Sequence, residues 1–278
     1  MSVVELPAIP TTPASRLRWA LTDGWTVVRR DLWHLKAQPG QIFVALVFPV
    51  ALVVMFGYVF GSAIAVPGGG NYREYLMPGL FTMVSIFGVA VNAIAVATDK
   101  SRGVMDRFRS MPMSRLAVPF GQAGADLAQG ALSVLMMAGC GLVVGWRAHH
   151  GIAGTVAAFG LLLLFRYALS WAGVYIGLAV RNEETVDSLG PLIFPITMVS
   201  NNFVPTDRMP AWLRVVADWN PISAMTAASR QLFGNPGAAI GHAALPLEHP
   251  VAATLLWSVL LLAVFVPLSV RQFNALRG

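Results

Sequence analysis

The chain has 278 residues, of which 56% are hydrophobic and only 12% are charged. A soluble domain of this length carries about 25% charged residues, so the composition excludes an ordinary soluble fold and indicates a membrane protein. The net charge of +6 does not indicate a nucleic-acid-binding protein, because the basic residues lie beside apolar runs and do not cluster on one polar face.

The first 38 residues precede the first apolar run. Residues 1–14 contain three prolines and no apolar core, which predicts a flexible cytoplasmic tail and no cleavable signal peptide. Residues 15–38 repeat leucine, tryptophan and valine at spacings of three and four, with the basic residues outside this stripe. The pattern predicts an amphipathic helix in the membrane interface. An ordinary cytoplasmic helix packed on protein is the alternative.

Six apolar segments reach the length of about 20 residues that a membrane-spanning helix needs. They are residues 42–66, 77–98, 117–145, 152–180, 185–204 and 251–270. The fourth contains Arg166, and the fifth contains Pro191 and Pro195, which are expected to bend it. The sequence therefore predicts an all-α integral membrane protein, with a single transmembrane domain over residues 41–270 and a cytoplasmic tail over 271–278.

The distribution of lysine and arginine predicts the orientation of the spans. Of 19 basic residues, 13 lie at the two termini and in the connections on the same side, five lie in the opposite connections, and one is Arg166. Because basic connections stay in the cytoplasm, both termini are predicted to be cytoplasmic. Only two of the basic residues are lysines. This fits a high-GC bacterium, so the predicted location is a bacterial plasma membrane.

The cytoplasmic connection at residues 99–116 combines charges with apolar side chains. Val104, Met105, Phe108 and Met111 fall on one face of a helix. Exposed apolar side chains on a short charged helix are suited to docking in a groove of another protein. A solvated loop that follows the charge bias explains the spacing equally well.

Two parts of the chain resemble a known family. Residues 106–115 read DRFRSMPMSR and are similar to the cytoplasmic loop of ABC-2 type permeases of the daunorubicin-resistance group. The second part comprises SNNFVP at 200–205, MPAWL at 209–213, the pair Asn220-Pro221 and Arg230. The number of spans and the amphipathic first helix also fit, so the resemblance covers nearly the whole chain.

The resemblance implies an exporter that is powered by another chain. Two copies of a separate ATPase subunit, which bind ATP and magnesium, would act on two permease chains, identical or paralogous. The permease would move an amphiphilic drug, secondary metabolite or lipid out of the cytoplasm or inner leaflet by alternating access. The coupling helix that docks on the ATPase would include Arg102, Gly103, Val104, Met105, Asp106, Arg107, Phe108 and Arg109.

The same resemblance implies a cap on the outer side. Residues 205–250 would form short extracellular re-entrant helices before the last span, at 210–219 and 221–233, each beginning at a proline. The cap residues would be Pro205, Pro210, Trp212, Asn220 and Pro221.

The chain is not expected to be an enzyme or to bind a cofactor or metal itself. Its lysines, Lys36 and Lys100, do not follow the glycine of a Walker A loop. Asp126 is the one carboxylate well inside a predicted span, so no aspartate pair for proteolysis is available. His149 and His150 are interpreted as a solvated pair, because no nearby cysteine or carboxylate completes a metal-ligand set.

Asp126 and Arg166 are charges inside predicted spans, which is a costly position that often marks function. The sequence leaves three roles open: a structural ion pair, an arginine that extends to water, or a substrate contact. The alternative to an ATP-driven exporter is a self-contained secondary transporter or channel, which would show internal repeats or broken helices near the midplane.

Overall fold

The computed structural model describes residues 47, 50–59, 66, 69–105, 117–180, 183–188, 190–206, 209–237 and 244–275. The regular structure in these residues is entirely helical. The helices are α1 (Val50–Val59), α2 (Tyr72–Ser101), α3 (Ala117–Val144), α4 (Gly151–Ala179), α5 (Glu183–Asp187), α6 (Gly190–Met198), α7 (Ala211–Trp219), α8 (Pro221–Phe233), α9 (Leu245–Glu248) and α10 (Pro250–Ala275). The predicted tail at 1–14, the predicted interface helix at 15–38 and residues 106–116 lie outside the described residues.

Four of these helices, α2, α3, α4 and α10, are long and apolar enough to cross a membrane. They coincide with the second, third, fourth and sixth predicted spans. Within the first predicted span, the structure describes only α1 and two single residues beside it. The fifth predicted span contains α5 and α6, and α6 is only nine residues long with Pro195 inside it. The count of six spans therefore stays a prediction.

Helix α4 is the centre of the described bundle, because α2, α3, α8 and α10 all pack against it. Helices α2 and α4 approach most closely at two glycines of α4. A Cβ atom at Gly173 would lie 2.8 Å from the carbonyl oxygen of Val89, and one at Gly177 would lie 2.5 Å from that of Ala93. Any larger residue would push the two backbones apart, so this small-residue seam sets the distance between the helices.

The segment between α6 and α10 also forms helices. Helix α8 begins at Pro221, as predicted, and Asn220 caps it by accepting a hydrogen bond from the backbone nitrogen of Ile222 at 3.0 Å. Helix α7 begins one residue after the predicted start, because Pro210 is its N-cap and not its first residue. The extracellular position of both helices stays a prediction.

An aromatic cluster joins α2, α4 and α8 at the end of the bundle opposite Ser101. The ring centroids of Trp146 and Phe233 are 5.0 Å apart, and Phe81 lies 5.1 Å from Trp146. Phe159 packs on the same Phe233 ring at 5.1 Å. These edge-to-face contacts stabilise more than their buried area alone would and make this end of the bundle a compact core.

Candidate functional site

Asp126 of α3 and Arg166 of α4, the two charges predicted inside spans, form an ion pair. The Nη2 atom of Arg166 lies 2.7 Å from Oδ1 of Asp126, and the side chains are 3% and 4% exposed. Of the roles that the sequence leaves open, the structure therefore shows the ion pair. Arg166 does not extend to water.

The guanidinium of Arg166 also joins a third helix. Its Nη1 donates to the carbonyl oxygen of Val84 on α2 at 3.1 Å, and its Nε donates to the carbonyl oxygen of Asp126 at 3.2 Å. Two glycines leave the space for it: a Cβ atom at Gly130 would lie 1.9 Å from Nε, and one at Gly88 would lie 2.4 Å from Nη2. One side chain therefore ties α2, α3 and α4 together.

One carboxylate oxygen of this site has no hydrogen-bond donor in the part of the chain that the structure describes. Asp126 Oδ2 is buried, and it accepts no hydrogen bond from the described residues. A buried carboxylate oxygen without a donor is costly, so this atom is the least satisfied point of the pair.

A second buried cation, Arg230 of α8, lies at the end of the bundle that carries the aromatic cluster. Its Nε donates to the carbonyl oxygen of Tyr75 at 3.0 Å, and its Nη2 donates to those of Asn201 and Asn202 at 2.9 and 3.1 Å. Within the described residues no carboxylate pairs with it. Burial lowers the pKa of the Arg230 guanidinium, while Tyr75 and Tyr72 act in the opposite direction; arginine keeps its proton in proteins, so the group stays a cation.

The turn that follows α6 is fixed to α2 and α8 by further hydrogen bonds. The hydroxyl of Tyr72 donates to the carbonyl oxygen of Phe203 at 2.9 Å, and that of Tyr75 donates to the carbonyl oxygen of Asn201 at 3.0 Å. The backbone nitrogen of Asn201 donates to Ser223 Oγ at 3.1 Å. Together with Arg230 these bonds form one cluster, which we call the outer cluster after the side of the membrane on which the sequence predicts it.

Sequence reasoning missed the role of Arg230. In the sequence, Arg230 stands out only as part of the family pattern and as one of the five basic residues in the connections predicted to lie outside. A signal was present: α8 is built mainly of small residues that allow close packing around a large side chain. The buried small residues of α8 are Ser223, Ala224, Thr226, Ala227, Ala228 and Ser229.

At the other end of the bundle, α2 is tied to the ends of α3 and α4. Lys100 Nζ donates to the carbonyl oxygens of Leu178 and Val180 at 2.8 and 2.9 Å, which caps the C-terminal end of α4. Gln122 of α3 donates to Asp99 Oδ2 at 2.9 Å. These bonds lie directly before the predicted coupling residues.

The predicted coupling segment is described only at Arg102, Gly103, Val104 and Met105. Met105 is 3% exposed and packs in a cluster with Val96, Val118 and Phe273. Met105 therefore belongs to the core of the bundle, and its expected exposure as a docking side chain is wrong. The helical spacing identifies an apolar face, but it does not show whether that face packs on the chain's own helices or on another protein. Asp106, Arg107, Phe108 and Arg109 lie outside the described residues, and the docking role stays a prediction.

The predicted cap residues occupy different environments. Trp212 is 71% exposed and Pro205 is buried, while Pro210 is exposed. Asn220 joins α8 to the end of α6, since its Nδ2 donates to the carbonyl oxygen of Val199 at 2.8 Å. Pro221 follows at the first position of α8.

His149 contacts a carboxylate that the sequence did not bring near it. Its Nε2 lies 3.1 Å from both carboxylate oxygens of Glu74, a contact between residues 75 positions apart that the sequence does not predict. The His149 side chain is half exposed. Within the described residues, no group of three or more histidine, cysteine and acidic side chains could hold a metal ion.

These features define an α-helical membrane protein in which three long helices share one buried charge pair. The chain belongs to the ABC-2 type transporter family, whose sequence model matches residues 22–233.

Three proteins whose sequences are similar to this chain are named as drug resistance permeases. The daunorubicin resistance ABC transporter permease protein DrrB1 of Streptomyces coeruleorubidus is 30% identical over 95% of both chains. The doxorubicin resistance ABC transporter permease protein DrrB of Mycobacterium tuberculosis is 26% identical over 79% of this chain and 77% of its own. From the same organism, the probable doxorubicin resistance permease DrrC is 22% identical over 83% and 81%.

Proposed function

We propose that the chain is the permease subunit of an ATP-binding cassette exporter in a bacterial plasma membrane, with both termini in the cytoplasm. It would move an amphiphilic drug, secondary metabolite or lipid outward by alternating access. The observation that carries the proposal is the similarity to a daunorubicin resistance permease over 95% of both chains. Of the residues quoted for the family resemblance, Asn201, Asn202 and Arg230 lie together in the buried cluster described above.

The energy would come from a separate ATPase subunit in two copies, which binds ATP and magnesium. A second permease chain, identical or paralogous, would complete the transporter. DrrB and DrrC of one organism are both relatives of this chain. A pair of paralogous permeases is therefore as consistent with the comparisons as a homodimer.

The coupling segment at Arg102–Arg109 would receive the movement of the ATPase. Helix α2 ends at Ser101, immediately before this segment, and Lys100 binds the end of α4. A force on the segment would therefore reach two packed helices at once. The buried Met105 would anchor the segment to the bundle, and Phe108 would be one of the apolar side chains that dock on the ATPase.

The Asp126–Arg166 pair would act as a structural tie and not as a substrate contact. Both side chains are nearly inaccessible, and Arg166 uses all three of its nitrogens on groups of α2 and α3. Breaking such a pair leaves a buried charge without compensation, at a cost of about 3–5 kcal/mol. The three helices would therefore move as one unit during transport.

The outer cluster around Arg230 would be the closed outer end of the pathway. It binds the turn after α6 to α2 and α8 through backbone carbonyls, and these contacts would have to shift if the exit opens between these elements. Pro205, Pro210, Trp212, Asn220 and Pro221 would form the surrounding cap.

The test is reconstitution of the chain in vesicles with and without an ATPase subunit encoded beside it. Transport of a fluorescent amphiphile should require both chains and ATP. Phe108→Asp should abolish ATP-driven transport, whereas Ser110→Asp adds the same charge off the docking face and should be tolerated. Transport by the chain alone, driven by an ion gradient, would instead support a secondary transporter.

A further inference from the structure

Several buried polar atoms at the outer cluster make no hydrogen bond within the part of the chain that the structure describes. They are Asn201 Oδ1, Asn201 Nδ2, Asn202 Nδ2, Ser229 Oγ and Arg230 Nη1. All four side chains are fully buried. Buried polar groups in proteins are nearly always hydrogen-bonded, because a group left without a partner has lost its contact with water and gained nothing in return. Where such atoms lie close together, they indicate a bound partner from outside the chain.

Hydrogen bonds place these four residues, which we call the polar site, next to one another. Arg230 Nη2 donates to the backbone carbonyl oxygens of Asn201 and Asn202 at 2.9 and 3.1 Å, so its guanidinium lies directly on the turn after α6. The Asn202 side chain reaches α8 one turn earlier, because its Oδ1 accepts from the hydroxyl of Thr226. Residues three and four apart on a helix are neighbours, so Ser229 and Arg230 both lie beside Thr226.

Helix α2 lies against the same turn. A Cβ atom at Gly79 would lie 2.6 Å from the backbone carbonyl oxygen of Asn202, so the glycine lets the turn approach α2 closely. Arg230 Nε donates to the carbonyl oxygen of Tyr75, and the Tyr75 hydroxyl donates to that of Asn201. These donors are therefore committed to backbone carbonyls, and Nη1 is the nitrogen of the Arg230 guanidinium that is left for a ligand.

The unpartnered groups favour a ligand that accepts hydrogen bonds and carries negative charge. The amide nitrogens of Asn201 and Asn202 and the Nη1 group of Arg230 are donors. Asn201 Oδ1 is an acceptor, and the Ser229 hydroxyl can act as either. Arg230 also carries a positive charge, which no carboxylate pairs with among the described residues. A water molecule would have to place its own two hydrogens among these donors, whereas an anion only accepts and also balances the charge.

We propose that the polar site binds a small inorganic anion, chloride or one of similar size. Arg230 Nη1 and the amide nitrogens of Asn201 and Asn202 would hold it, with the Ser229 hydroxyl as a further donor. Because the four side chains are fully buried, the anion would enter and leave only when the turn after α6 separates from α8. A bound anion would therefore stabilise the closed outer cluster. The inference depends on the geometry of this cluster and does not rest on the export proposal.

Thermal unfolding of the full chain in detergent tests the proposal. The unfolding temperature is measured in sodium chloride and in sodium gluconate at equal ionic strength, because gluconate is too large for the site. Retention of radioactive chloride by the folded protein is measured in parallel. A ligand that binds only the folded state raises the unfolding temperature as its concentration rises. We expect chloride to stabilise the protein relative to gluconate in a saturable manner, and radioactive chloride to be retained.

Asn201→Leu distinguishes a ligand from a salt effect on the whole protein. The backbone nitrogen and oxygen of Asn201 hold the turn, while its side chain makes no hydrogen bond to the described residues. Leucine therefore breaks none of the described bonds. The chloride concentration that gives half of the stabilisation should rise about tenfold or more, as expected for the loss of a hydrogen bond to a charged group. Ser229→Ala removes another unpartnered group and should raise this concentration by a smaller factor.

Asn235→Leu is the matched control, because it replaces a buried asparagine near the polar site that takes no part in it. The substitution breaks the hydrogen bonds of Asn235 with Trp146 and with the carbonyl oxygen of Arg147. It should lower the unfolding temperature in both salts, and the difference between chloride and gluconate should stay. This control separates loss of the anion from loss of stability.

Three results would overturn the proposal. The first is an equal unfolding temperature of the unsubstituted protein in the two salts, with no radioactive chloride retained. The second is a chloride effect of the same size in Asn201→Leu, which would show a general salt effect. The third is an Asn201→Leu protein that is more stable than the unsubstituted one in both salts, since the asparagine side chain would then have no ligand. If Asn201→Leu does not fold, the comparison is made with Ser229→Ala.

Discussion

The guanidinium carbon of Arg230 lies 3.6 Å from the centroid of the Tyr75 ring, and its Nε donates to the backbone carbonyl of the same tyrosine at 3.0 Å. Arg230 therefore binds both the side chain and the main chain of one turn of α2. Because its Nη2 also binds the turn after α6, Arg230 connects three segments that are far apart in sequence. A charge without a carboxylate partner in the described residues is stabilised here by carbonyl dipoles and an aromatic face.

Replacement of Arg230 by lysine should destabilise the protein although the charge is kept. Lysine is a point donor and cannot reproduce the fork that reaches three carbonyls, so we expect a loss of about 2–4 kcal/mol. Thermal unfolding in detergent, followed by size-exclusion chromatography, measures the effect. Arg214→Lys is the control, since that ion pair is part-exposed and longer and should contribute less than about 1 kcal/mol. Equal losses in both variants would show that the fork geometry is unimportant.

Asp126 and Arg166 should show strong coupling in a double-mutant cycle. Arg166→Met leaves a buried carboxylate unpaired and should cost about 3–5 kcal/mol. Adding Asp126→Leu removes that charge, so the double variant should be more stable than Arg166→Met alone. The measurement is thermal unfolding of all four proteins in the same detergent. Additive effects of the two substitutions would contradict the pairing.

Gly177→Ala should separate α2 from α4. The new Cβ atom would lie 2.5 Å from the carbonyl oxygen of Ala93, and overpacking of this kind costs about 1–3 kcal/mol. Gly160→Ala on the same helix is the matched control, because a Cβ atom there meets nothing within 4 Å and alanine favours a helix by about 0.5–1 kcal/mol. The two alanines should thus shift the unfolding temperature in opposite directions; a shift of the same sign would argue against the close seam.

The sequence predicted the long helices well, because membrane spans are specified by continuous apolar length. Helices α3 and α4 begin and end within one residue of the predicted spans. The fifth predicted span was harder, since its proline-containing segment has the composition of a span but is described as the short helices α5 and α6. An apolar composition indicates that a segment is compatible with lipid, but it does not show where the backbone turns.

The length of the arginine side chain explains why the sequence alone does not predict the contacts of Arg166 and Arg230. Helical rise alone places Asp126 and Arg166 at different depths, and only the long arginine side chain, with room beside Gly88 and Gly130, brings them together. Arg230 lies on a short helix of small residues, a composition that permits close packing but does not show which contacts bury the side chain. Both arginines are buried by contacts with residues far away in sequence, and no local pattern records such contacts.

Gly103→Ala should weaken the junction between α2 and the coupling segment. Gly103 has φ of +68° with open space around its Cβ position, so the left-handed backbone, and not a clash, would oppose alanine. The expected cost is about 1–2 kcal/mol. Gly139→Ala, at a helix position that is also open, should be neutral or stabilising. Hydrogen exchange at the end of α2 should rise only in the Gly103 variant; unchanged exchange would exclude a special backbone requirement there.

Lys100→Met should impair coupling more than stability, if the proposed ATPase acts through the segment after α2. The substitution removes two hydrogen bonds to the end of α4, which at this part-exposed site cost about 1 kcal/mol. The same bonds are the direct link by which a displaced coupling segment would move α4, so transport per ATP hydrolysed should fall even at temperatures where the protein is fully folded. Lys100→Arg should restore part of it, since arginine can still donate to both carbonyls. Arg271→Met removes an equal charge from an exposed position on α10 and should leave the ratio unchanged. If Lys100→Met and Arg271→Met behaved alike, the Lys100 bonds would be a local helix cap without a part in transmission.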